Sequence, residues 1–322
     1  MPSKVWPFKS LKDIRGEVWP EELDLIAPKL LVPGGKMLIY GFSKTGKSLL
    51  VQQLAYCLTA GVPWIGYDVA RPLTVAYVQK EISHREMYNR TRAMDRAYAD
   101  VLLDPEKMFV STTWGYTLDS LANFKSLAEA LKERRVDVVI LDPLFLFLGG
   151  DPSDDDKTNE FLGRMTWLGG ETQAAEVMVH HSRKGLTGMM GGEGMADFSE
   201  AKGSTSWIQW PDTVAKLVKT SAKKRTVQWQ AVRHGAEPPD QELFFDVETL
   251  TFGTLTKSPA PVIMQVLKAG PMGLHELHLK VEEETGYSRS QVDRARKMLE
   301  NKGMISKTRD PDDKKSFIVE AS

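Results

Sequence analysis

The sequence predicts an α/β protein that carries a small C-terminal winged helix-turn-helix unit. Three observations predict it. Short apolar runs alternate with helical patterns from about residue 25 to 255, as in a sheet covered by helices. One run, Met37–Tyr40, leads straight into Gly41-Phe42-Ser43-Lys44-Thr45-Gly46-Lys47-Ser48, which fits the phosphate-cradling pattern G-x-x-x-x-G-K-[ST]. After the linker Lys257-Ser258-Pro259-Ala260-Pro261, three helical patterns and two short strands fill residues 257–322.

Taken in chain order, residues 1–24 hold Pro and Trp without a clear period. They read as an N-terminal arm, either packed on the domain or bridging subunits. The main domain spans 25–256. Its expected strands are Met37–Tyr40, Leu73–Gln79, Met108–Ser111, Val136–Leu141, Glu176–His180, Thr213–Lys219 and Thr226–Val232. Lys47–Thr59 and Leu118–Arg134 are helical patterns between them. The run VDVVILD is apolar on both faces, as expected of a buried parallel strand. The strands after residue 213 have little helix between them and read as hairpins at one sheet edge.

Residues 184–201, KGLTGMMGGEGMADFSEA, break the pattern. Glycine and methionine make this segment adaptable, and it reads as a functional loop. In the C-terminal unit, residues 257–322, Pro261–Ala269 and Leu274–Glu284 form two helices. Ser288 and Gln291 make a capping box for a third, along which Val292, Ala295 and Leu299 recur. Met304–Thr308 and Ser316–Val319 then form a wing.

Length and composition set bounds. A chain of 322 residues holds about two domains at ~150 residues each. The formal net charge is −1, so any nucleic-acid contact must come from a local patch. Such a patch lies between Ser288 and Ser316, where nine Lys and Arg face five Asp and Glu. Cys57 is the one cysteine. This excludes an intramolecular disulfide and a Cys-based zinc site, and fits a reducing cytoplasm. The start of the chain lacks an apolar run of signal-peptide length, and no stretch has the length of a membrane span. His275-Glu276-Leu277-His278 has the wrong spacing for the H-E-x-x-H zinc motif.

The phosphate loop has a direct physical reading. Gly41 and Gly46 let the backbone curl so that N–H groups face an anion. The helix beginning near Lys47 points its positive end the same way. Lys47 would reach the β- and γ-phosphates of ATP, and Ser48 would offer its hydroxyl to Mg²⁺. Phe42, Ser43, Lys44 and Thr45 complete the cradle. Asp142, at the end of VVILDPL, is the second Mg²⁺-side carboxylate such a site needs. Glu81 lies just past a strand end. On spacing alone it is either the group that activates water or a surface Glu opening the next helix. His180 and His181 end another strand, so only one of them can face the site.

Together these segments resemble the RecA-type hexameric ATPases, most closely the RepA-like replicative DNA helicases. The resemblance spans about residues 30–235. It rests, in order, on GFSKTGKS, VAYVQKE, VVILDPL, FLGRMTWLGGETQAAEVMVHHSRKG, MMGGEG and AKGSTSWIQW. It implies a RecA-like P-loop NTPase core, Glu81 as catalytic base and His181 as γ-phosphate sensor. It also implies a homo-hexameric ring, with Lys184, the 184–201 loop and Lys202 against single-stranded DNA.

The chain departs from the family in two places. Asp212 stands where RepA-like proteins carry an arginine. DnaB-like relatives use a K-x-R-N-G segment, of which Ala231-Val232-Arg233-His234-Gly235 keeps the arginine alone. Arg233 is therefore the candidate arginine finger, with Arg225 behind it. The second departure is the C-terminal unit, where Arg289, Gln291 and Arg294 would meet base edges and Lys314 and Lys315 phosphates. A protein-binding winged helix is the alternative.

The function implied is an ATP-dependent helicase or translocase in replication of a plasmid, phage or mobile element. An ATP-gated duplex-DNA-binding regulator or loader without unwinding is one alternative. A recombinase-like filament former is the other.

Overall fold

The computed structural model describes residues 8–18, 24–99, 101, 103–112, 115–151, 154–182, 206–254, 259–285, 289–301, 303–309, 311 and 316–321. A short helix, α1 (Leu11–Gly16), opens them, capped by a reciprocal Ser10–Asp13 capping box. It is the one regular element inside the arm that the sequence pattern did not announce. None of its residues is buried; Leu11 and Ile14 on it, and Phe8 and Val18 on either side of it, are exposed.

The core elements follow as β1 (Lys36–Gly41), α2 (Lys47–Ala60), β2 (Val75–Gln79), α3 (His84–Ala97), β3 (Met108–Ser111), α4 (Leu121–Glu133), β4 (Val138–Asp142), α5 (Asp155–Thr172), β5 (Ala175–His181) and α6 (Ser206–Gln209). Four more strands complete the core: β6 (Thr213–Lys219), β7 (Lys224–Val232), β8 (Gln241–Asp246) and β9 (Thr251–Thr254). Among the described residues they form one nine-stranded sheet, ordered β3-β2-β4-β5-β1-β6-β7-β8-β9. β1 to β6 pair in parallel. β7, β8 and β9 extend the sheet by antiparallel pairing, the hairpin edge that the sequence led one to expect.

Apolar side chains cover both faces. On β1, Met37 and Ile39 enter the core beneath α2, while Leu38 and Tyr40 enter the core beneath α4 and α5. This two-sided burial is the reason the central strands read as continuous apolar runs. The aspartates at 154–156 serve the start of α5. Asp154 is its N-cap, accepting from the Asp156 and Lys157 N–H groups, and Asp155 and Asp156 sit in the first turn, where negative charge is favoured.

A second core belongs to α7 (Pro259–Leu267), β10 (Met272–Gly273), α8 (Leu274–Thr285), α9 (Arg289–Asn301), β11 (Ile305–Arg309) and β12 (Phe317–Ala321). The strands pair as β10-β12-β11. Ile263, Leu277, Val281, Val292 and Val319 fill the space between them and the helices. No helix among the described residues is long and apolar enough to cross a membrane.

One buried acid lies far from the loop end of the sheet. Glu176, 1% exposed, sits near the start of β5 opposite Lys36. Burial pushes its carboxyl up to about 8, against the pull of the Lys36 ammonium and the Gly169 N–H. Folding therefore favours the protonated form. Its stabilising effect is full below the unfolded value of 4.5 and is lost as pH rises towards about 8. Glu176→Gln is expected to be more stable than wild type by roughly 2–4 kcal/mol near pH 8 and equal to it near pH 4. Urea denaturation across that range checks this, and a pH-independent difference would contradict it.

Candidate active site

Because β1, β2, β4 and β5 run in parallel, their C-terminal ends meet at one edge of the sheet, and the phosphate loop leaves β1 there. Two glycines in the loop are sterically required. Gly41 has φ +153°, and a Cβ there would lie 2.4 Å from the Leu217 carbonyl oxygen. Gly46 has φ +103°, and a Cβ there would lie 2.8 Å from the Phe252 ring. Gly46 is also the N-cap of α2, so the loop delivers the positive end of that helix to the cradle. Thr45 Oγ1 closes the turn by donating to the Phe42 carbonyl at 2.9 Å.

Lys47 is the hub of the site. It is 4% exposed, and its Nζ donates to the Gly41 and Phe42 carbonyls, each at 2.9 Å. His181 Nδ1 lies 3.3 Å from the same ammonium. Burial lowers the Lys47 pKa to about 8, with Asp142 and Glu81 pulling it back up.

Asp142 is fully buried. Its Oδ1 accepts from Ser48 Oγ at 3.1 Å and its Oδ2 from Tyr77 OH at 2.7 Å. Burial raises its pKa, while the Tyr77 and Ser48 hydrogen bonds oppose the rise. A hydroxyl beside a desolvated carboxylate is a donor set that fits Mg²⁺, and a divalent cation would reverse the desolvation effect on Asp142. The Gly41–Gly46 curl, the Lys47 ammonium and the Ser48–Asp142 pair fit a magnesium nucleotide.

Glu81 sits two residues beyond β2. Its Oε1 is 3.4 Å from His181 Nε2. The hydrogen bond from His181 holds its carboxyl below the ordinary value, with burial opposing. His181 thus touches Lys47 through one nitrogen and Glu81 through the other. His180 points away from both and packs on Trp207, with ring centroids 5.4 Å apart.

Two residues that sequence reasoning passed over complete the site. Gln79 is level with Asp142 on the neighbouring strand, and its Oε1 accepts from the Glu81 and Ile82 N–H groups at 3.1 and 2.9 Å. Tyr77 shares the face of Gln79, two residues back along β2. This alternation was the available signal for both residues.

The arginine candidates lie apart. Arg233 donates to Asp212 Oδ1 at 3.1 Å and to the Gln209 carbonyl at 3.2 Å. Asp212 also accepts from the Lys36 N–H at 3.0 Å, so this cluster sits at the far end of β1 from the loop. Arg225 faces inward and donates from Nε to the Thr45 carbonyl of its own phosphate loop at 2.6 Å. Its second-choice reading as a finger for a neighbour does not fit this burial. Among the DNA-contact candidates, Arg289 opens α9 and is exposed. Gln291 and Arg294 lie on the α9 backbone, but their side chains fall outside the described residues, as do Lys184, the 184–201 loop, Lys202, Lys314 and Lys315.

Comparison with known proteins bears on the family and the fold. The family model described as an AAA domain matches residues 2–186, more than half of the 322 residues. Among solved structures the chain is similar to an ATPase domain, with a TM-score of 0.53 and 14% sequence identity. That alignment covers 69% of this chain and 85% of that one. At such identity it speaks for the fold alone, an α/β core whose parallel strands and phosphate loop are consistent with a RecA-like P-loop NTPase. No curated protein matches the chain.

Lys47 loses its charge through about pH 8, so the site should hold polyphosphate less well in alkali. Mg-ADP affinity is expected to fall about tenfold between about pH 7 and pH 9.5. Lys47→Arg, which stays charged, should flatten the profile. Isothermal calorimetry checks both, and a wild-type profile as flat as that of the variant would contradict the assignment.

Proposed function

We propose a function from one premise: this chain belongs to the AAA domain family, an ATPase class. Within it, we read the protein as an ATP-driven DNA helicase or translocase of the RepA-like type, acting as a homo-hexameric ring in replication of a plasmid, phage or mobile element. The observation that carries this reading is the Lys47–His181–Glu81 chain of contacts, at 3.3 and 3.4 Å. It joins the phosphate-binding lysine, a strand-end histidine and a carboxylate at the edge where the terminal phosphate of ATP would lie.

Mg-ATP would be held by Gly41–Ser48 and Asp142, the metal drawing charge from the phosphate oxygens. Glu81, kept ionised by His181, accepts the proton of an attacking water. Gln79 holds the Glu81 backbone in place through its two N–H bonds. His181 would turn its Nε2–H from Glu81 to the terminal phosphate, and release it when that phosphate leaves. β5 runs on from His181 towards the 184–201 segment, so this exchange would be felt in the loop we assign to single-stranded DNA, with Lys184 and Lys202. Arg233 is assigned in trans, to the site of a neighbouring copy.

A second reading has its own support. The order α7-β10-α8-α9-β11-β12, with a three-stranded sheet, supports reading this unit as a winged helix. Exposed Arg289 stands at the start of the helix that would enter a groove. An ATP-gated duplex binder would use this unit without unwinding.

The two readings separate in one assay. ATP turnover is expected to rise at least tenfold with single-stranded DNA, and Glu81→Gln to abolish turnover while keeping nucleotide binding. Slow turnover indifferent to single strands, with tight duplex binding, would favour the second reading.

A further inference from the structure

The antiparallel extension of the sheet touches the phosphate loop at several points. Arg225, near the start of β7, is 5% exposed. Its Nε bond to the Thr45 carbonyl is 2.6 Å long. Its Nη1 is held by the Ser221 and Lys224 carbonyls at 2.9 and 2.8 Å. The guanidinium lies over the Phe245 ring, 5.6 Å from its centroid. Phe252 of β9 is tied to α2 by two bonds with the Gln53 amide, at 2.8 and 2.7 Å, and its ring abuts Gly46.

The peptide unit explains what this grip can do. In a trans peptide the carbonyl of one residue and the N–H of the next point in opposite directions. Holding the Thr45 carbonyl outward therefore fixes the Gly46 N–H inward. Gly46 is the residue most able to rotate, since its φ of +103° is open to glycine at little cost. A charge-assisted bond to the carbonyl also polarises the peptide and strengthens its N–H as a donor.

We infer that Arg225 is a positioning residue for this chain's own phosphate loop, aiming the Gly46 N–H at the phosphates of a nucleoside di- or triphosphate. The inference rests on the nucleotide reading above and adds a role in cis to a residue whose sequence context suggested one in trans. Arg225 acts on the ligand through a backbone amide, and its own head group stays in the protein. It also links the strand that precedes the C-terminal unit by one short hairpin to the loop that would grip nucleotide.

The test uses the whole 322-residue chain, with Mg-ADP and Mg-pyrophosphate as probes. Arg225→Ala is expected to weaken both by the same factor, about tenfold or more, as loss of a charged hydrogen bond implies. Added ethylguanidinium should restore part of the loss, which a collapsed fold would not allow. Arg225→Lys keeps the charge without the planar fork and should fall between. Mixing Arg225→Ala with Lys47→Ala subunits should not revive ATP turnover, because each copy carries its own defect.

Unchanged affinity in Arg225→Ala beside a wild type that binds would overturn this inference alone. Revived turnover in the mixture would overturn it in favour of a trans finger. A wild type that binds neither probe would overturn the nucleotide reading, and this inference with it.

Discussion

The site depends on one buried ammonium. Lys47 Nζ is desolvated, yet it holds two carbonyls of the loop it belongs to and lies against His181 of β5. A buried cation is costly unless paired or hydrogen-bonded, and here the compensation comes from three elements at once. The loop supplies dipoles, β4 supplies Asp142, and the end of β2 supplies Glu81. None of these is close to the others in sequence. They meet because the order β2-β4-β5-β1 puts four parallel strand ends side by side, and ligand sites in open α/β sheets form at such carboxyl edges. The pairing also sets the balance of charge. Lys47 is drawn down and Asp142 pushed up by the same desolvation, so both gain from an arriving anion and cation together.

Much of this was legible in the sequence, for identifiable reasons. β3 and β6 have the expected bounds, because short apolar stretches there are bounded by turn residues. The loop from Gly41 to Ser48 was legible because its chemistry is local. Its glycines, lysine and serine act within one turn of chain. Asp142 was legible because a charge at the end of an apolar strand has few other uses. The alternation along β5 made it certain that one histidine alone faces the site, and His180 stacking on Trp207 leaves that place to His181.

What escaped the sequence is what long-range packing decides. Nothing local distinguishes Arg225 from the neighbouring Lys223 and Lys224. Its inward turn follows from the register of β7 against β6, where Arg225 sits opposite Lys219, and from the Phe245 ring that receives it. Gln79 and Tyr77 read as ordinary strand residues until β4 is placed beside β2. The helix α1 was missed because its signal is a capping box over two turns, too short to carry a period, and because no core among the described residues receives its apolar side chains. A six-residue helix is not stable alone in water, so its apolar stripe is the part of the fold least accounted for by the chain's own packing.

Asp212 and Arg233 mark the opposite constraint. Thr213 pairs with Met37, so this cluster lies roughly 17 Å from the loop, the length of a six-residue strand. Arg233 therefore cannot serve the nucleotide of its own chain. Its partner Asp212 also holds the first N–H of β1 and draws His234 to 3.6 Å, so the carboxylate would stay satisfied if Arg233 swung away. Arg233 is 55% exposed, and an exposed ion pair contributes about 0–1 kcal/mol. Releasing it costs little against the gain a desolvated phosphate offers an arginine. Of the two arginines, then, one is buried where leaving would orphan several carbonyls, and the other is poised where leaving is cheap. If a residue acts between copies, as proposed, the physical case for Arg233 rests on that difference, rather than on the motif that first singled it out.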